Sequence, residues 1–95
     1  MPRTKITDAD VAAAYVRHAI DGDPRHTPRG FFGGDHGPVR IRRAILTAID
    51  HGIIEHSGNI DKGWLTEKGI DLYIDPATQK RYREALRGRN MVRAG

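Results

Sequence analysis

The sequence predicts a small α+β domain, with three to four helices and one two-stranded β-hairpin. Three observations carry this expectation. Segments 8–21 and 38–51 repeat apolar residues at helical spacing. Two short apolar strands, within 53–56 and 63–66, flank turn residues. The chain has 95 residues and a 38% hydrophobic share, enough for a single core. A domain of this size buries about 60–65% of the surface its unfolded chain exposes, so that core is thin.

Residues 6–11, Ile-Thr-Asp-Ala-Asp-Val, read as a helix start. Thr7 suits the N-cap, Asp8 and Asp10 suit the positive end of the dipole, and Ile6 can staple onto Val11. Asp10 stands where a capping box prefers Glu, so only a partial box is expected. Val11, Ala12, Tyr15, Val16, Ala19 and Ile20 gather on one side. Gly22 and Pro24 end the helix.

Residues 22–37 hold five of the eleven glycines and two of the five prolines, with no periodicity. An irregular segment this long is uncommon inside a compact domain and marks a functional or mobile loop. One short turn of helix around Pro28, Arg29 and Gly30 fits within it.

Pro38 opens the second helix at N1, and Gly52 follows it at the C′ place. Ile41, Ala44, Ile45, Ala48 and Ile49 form its main apolar arc, which Leu46 and Val39 widen. Arg40, Arg43 and Thr47 fall opposite, with Arg42 at the flank. Ile53 and Ile54 begin a strand, residues 57–63 supply the turn, and Trp64 and Leu65 return. Thr66 caps a helix through Ile74, and Asp75-Pro76 restarts another to about Arg87. Residues 88–95 read as a frayed basic tail. The buried set expected from these patterns is Ile41, Ile45, Ile49, Ile54, Leu65 and Leu72. Apolar surface remaining on the first and last helices (Tyr82, Leu86) predicts a homodimer.

The net charge of +4 is unevenly placed. Residues 1–75 hold ten Lys/Arg against eleven Asp/Glu, whereas 76–95 hold six against Glu84 alone. The excess is a C-terminal basic stretch, in which Lys80, Arg83 and Arg87 share one helix face and suit phosphate. Arginine outnumbers lysine twelve to four, which fits a GC-rich bacterial or phage genome. No run approaches the roughly 20 apolar residues of a membrane span, and no signal peptide is visible. A soluble, cytoplasmic single domain over 1–95 is expected. With no cysteine, disulfides, thiolate metal sites and cysteine nucleophiles are excluded. The five histidines form no i, i+4 pair around a carboxylate, so no metal is expected. The glycines of 30–37 lack the Gly-Lys-Ser/Thr ending of a phosphate cradle, and Pro38 removes a donor. Ser57, the one serine, has no acid–base pair spaced to serve it. No catalytic residue and no cofactor is expected.

Ala44-Ile-Leu-Thr-Ala-Ile-Asp-His-Gly52-Ile-Ile-Glu-His56, followed by Gly63-Trp-Leu-Thr-Glu-Lys-Gly69, resembles the second half of winged-helix domains. The likeness is to regulators of the MarR and PadR kind. It implies a recognition helix over 38–51 and a wing over 53–66. The supporting helix of a complete helix-turn-helix is absent. Its place is taken by 22–37, either reduced to a turn or replaced by the loop. The resemblance implies a transcriptional regulator that binds double-stranded DNA. Arg40, Arg42, Arg43 and Thr47 would then face the major groove, and Asn59 and Lys62 would stand at the wing tip. The alternative is a winged-helix protein-interaction module of a phage or mobile element. It would grip a host or partner protein through Phe31 and Phe32.

Overall fold

A computed structural model describes residues 5–22, 27–32 and 36–94, with residues 88–94 described by backbone alone. The parts of the irregular segment at 23–26 and 33–35 therefore lie outside the described residues. Helix α1 spans Asp8–Asp21, α2 Pro38–Asp50, α3 Glu67–Tyr73 and α4 Pro76–Ala94. Strands β1 (Ile54–Glu55) and β2 (Trp64–Leu65) pair antiparallel, with Ile54 opposite Leu65 and Glu55 opposite Trp64. Four helices and a two-stranded sheet among the described residues make a small α+β fold, consistent with a winged-helix-like arrangement.

Local chemistry sets each boundary. The Thr7 hydroxyl accepts from the Asp10 amide at 3.2 Å, and the Asp10 carboxylate accepts from the Thr7 amide at 2.9 Å. The capping box is thus complete, not partial. Aspartate reaches back as glutamate would, because a short acceptor suffices at this separation. Gly52, at φ +77°, turns the chain out of α2 in a conformation that other residues adopt only with strain. Ile53 then enters the core. The Lys68 ammonium donates to the His51 carbonyl at 2.9 Å, satisfying an end group of α2.

The core runs through every element. Val11, Ala12, Tyr15 and Val16 of α1 meet Ile41, Ile45 and Ala48 of α2, with Ile53, Ile54, Leu65, Ile70 and Tyr82. Helix α1 is its centre, packing on α2, α3, α4 and β2. The surplus apolar surface expected on α1 and α4 is therefore taken up by the chain's own core. The reason given for a homodimer no longer holds.

Three further expectations change. Leu72 is 59% exposed, and Ile70 takes the buried place in α3. The two lie 200° apart on the wheel, so a single seven-residue helix cannot bury both. Val39 and Leu46 do not widen the apolar arc of α2 but face solvent, and Ile49 is only partly buried. The core contacts a narrow stripe on α2, since α1 and β1 cover one side of it. Helix α4 continues to Ala94, beyond the end expected near Arg87.

Candidate nucleic-acid interface

Helix α2 presents two sides of opposite character. Ile41, Ile45 and Ala48 are buried, while Arg40, Arg42, Arg43 and Thr47 are exposed. The Thr47 hydroxyl donates to the Arg43 carbonyl at 2.9 Å, which leaves its oxygen lone pairs facing outward. None of the three arginines forms an ion pair among the described residues. Their placement also runs against local stability. The first turn of α2 contains no acidic residue, no side chain caps it, and Arg40 adds positive charge beside the positive end of the dipole. Helix α1 is the contrast, with two aspartates and a full box at the same place.

The hairpin tip is a turn of 3₁₀-helix at Ile60–Lys62. The Asn59 carboxamide oxygen accepts from the Asp61 amide at 2.8 Å, capping this turn. Its amide group still faces solvent, and Lys62 is exposed. The expected short turn within the irregular segment is present as a second 3₁₀-helix, Pro28–Phe31. It is the helical turn between α1 and α2 among the described residues. Arg29 on that turn pairs with Asp61 at the hairpin tip, a contact that no local pattern in the sequence announces. Asp8 and His51 likewise join α1 to the end of α2 at 2.7 Å. Both pairs are separated widely in sequence, so only the tertiary fold creates them.

The basic face of α4 divides. Lys80 and Arg87 are exposed and unpaired among the described residues. Arg83 instead grips Glu67 of α3 with two hydrogen bonds, each 2.9 Å. That bidentate bond, with the charge attraction behind it, holds the Glu67 carboxyl below its ordinary range and raises the Arg83 guanidinium. Arg83 is therefore a fold contact first.

Phe31 and Phe32 are both half-buried against α1. The Arg17 guanidinium lies 4.9 Å from the Phe31 ring centre, and His18 meets the same ring edge-on at 6.2 Å. Phe32 packs on the main core. With Ala13, Ala14, Arg17 and Ile6, both rings line a cleft of about 290 Å³. Among the described residues no cluster of His, Asp or Glu has the form of a metal site, and no helix is long and apolar enough to cross a membrane.

No protein-family model, curated protein or solved structure matches this chain.

Proposed function

We propose that the protein binds double-stranded DNA and regulates transcription, with α2 lying in the major groove and the hairpin tip beside the backbone. One observation carries this reading. Arg40, Arg42 and Arg43 stand exposed and unpaired, among the described residues, on the side of α2 that faces away from the core. A helix fits the major groove, arginine pairs with guanine edges, and unpaired cations need no prior bond broken. Lys62, Lys80 and Arg87 would add phosphate contacts. Two copies on one duplex form part of this reading. Leu72 and Tyr73 of α3 are among the exposed apolar side chains that could meet between them.

An electrophoretic shift on random duplex DNA at two salt concentrations tests it. Arg43→Ala is expected to cost about 1–3 kcal/mol on the best site and little on random sequence. Failure of the folded protein to bind at about 50 mM salt overturns the reading. A second reading is a protein-interaction module gripping a partner through Phe31 and Phe32, and it draws on the cleft both rings line. It is the weaker, because Phe31 is already engaged by Arg17 and His18.

A further inference from the structure

The outward side of α2 is not purely basic. Val39 is 71% exposed and Leu46 42%, and neither belongs to the core or to the shell packed on it. A lone exposed aliphatic residue on a protein surface calls for no explanation. Two on one stripe of one helix, with an unpaired arginine between them, do. Arg43 follows Val39 by four positions and precedes Leu46 by three, so the three side chains share one line along the helix. Val39 and Leu46 are spaced by roughly 10 Å along the axis, close to three base-pair steps of about 3.4 Å. Asp50 lies one turn further on the same line and is exposed. It ends the basic stretch and directs the N-terminal part of α2, not its C-terminal end, toward an anionic partner.

Within the major groove the one apolar group on a base edge is the 5-methyl of a pyrimidine, carried by thymine in unmodified DNA. We infer that Val39 and Leu46 contact thymine methyl groups on either side of a base pair gripped by Arg43. The inference rests on the DNA-binding reading above. The surface then selects guanine flanked on each side within about two base pairs by thymine. Charge complementarity favours this occupant over a protein partner, since exposed Arg40 and Arg42 flank the line that carries Arg43.

The test begins with the best site selected from random duplexes by the intact protein. Each thymine in that site is then replaced by deoxyuridine, which removes the methyl and keeps every hydrogen-bonding group. Affinity is expected to fall about fourfold per contacted methyl. Leu46→Ala and Val39→Ala, both exposed positions that leave the core intact, are expected to abolish that sensitivity, each at its own thymine. Equal binding of the thymine and deoxyuridine sites overturns the inference while the DNA-binding reading stands. A methyl effect that appears only with 5-methylcytosine duplexes overturns the thymine assignment. Absence of binding to every duplex, combined with loss of a protein partner on Leu46→Ala, overturns both readings together.

Discussion

Arg29 and Asp61 meet at 2.7 Å, joining the Pro28 turn to the hairpin tip across thirty-two positions of chain. The Tyr15 hydroxyl donates to the Ile60 carbonyl at 2.5 Å beside them. The tip is therefore anchored from two elements, α1 and the Pro28–Phe31 turn. The Pro28–Phe31 turn thus braces the hairpin.

Arg29→Ala is expected to cost about 1 kcal/mol of stability, the scale of a partly exposed charged pair. The larger effect is local. The amides of Lys62 and Gly63, which donate within the tip turn, should lose hydrogen-exchange protection while those of α2 keep theirs. Urea unfolding and exchange read by NMR check the two parts.

Gly69 faces the backbone of Ile53 so closely that an added Cβ would stand 2.5 Å from the Ile53 carbonyl oxygen. Alanine is the better helix former by about 1 kcal/mol. Even so, Gly69→Ala is expected to destabilise by about 1–3 kcal/mol, because backbone rather than a flexible side chain must move. A lowered melting temperature by circular dichroism is the expected result.

Much of this architecture is legible in the sequence because its causes are local. Thr7, Pro38, Gly52 and Thr66 each mark a boundary by a group that bonds or turns within a few residues. The core stripe of α2 follows from Ile41, Ile45 and Ala48 at helical spacing. What periodicity does not convey is which apolar residues lack a neighbour. Leu72, Val39 and Leu46 have the same type as core residues and become exposed only because no element packs over them. The candidate site divides the same way. Arg40, Arg42, Arg43 and Thr47 are exposed where the wheel places them, whereas the pairing of Arg83 with Glu67 and of Arg29 with Asp61 depends on distant contacts.

Tyr15 gives a pH dependence at the alkaline end. Burial, reinforced by the Asp61 carboxylate nearby, pushes its phenol well above the ordinary value of 10.0. A raised value in the folded state contributes stability that is complete below about pH 10. It is lost as pH rises from there, because the unfolded chain releases the proton first. Each pH unit costs about 1.4 kcal/mol in that window. Tyr15→Phe is expected to be less stable at neutral pH, having lost the bond to Ile60, yet flatter above pH 10. Chemical denaturation across pH 8–11 checks the slope.

The buried Tyr82 hydroxyl accepts from the Leu65 amide at 2.8 Å, tying α4 to β2. Tyr82→Phe leaves that buried N–H without this acceptor and is expected to cost about 1–3 kcal/mol. Deleting residues 80–95 would remove Tyr82 as well as the basic charges. A loss of DNA binding after that truncation would therefore report unfolding. Circular dichroism of the truncated chain is expected to show lost helix beyond the deleted segment.

Single substitutions separate charge from fold on α4. Lys80→Ala and Arg87→Ala each remove an exposed, unpaired cation, so each should flatten the salt dependence of DNA binding by about 0.9 in log–log slope. Arg83→Ala should leave that slope nearly unchanged, because its guanidinium is held by Glu67. Its effect belongs to pH instead. Glu67 sits below its ordinary 4.5 through the Arg83 bond, so the pair contributes stability above that value and loses it as pH falls through the folded one. In Arg83→Ala the Glu67 carboxyl should move back up toward the ordinary carboxylate range, and the acid side of the stability curve should flatten. NMR titration of Glu67 beside salt-dependent binding isotherms distinguishes the roles. Slopes unchanged from the parent protein in all three variants would place the charges of α4 away from the DNA.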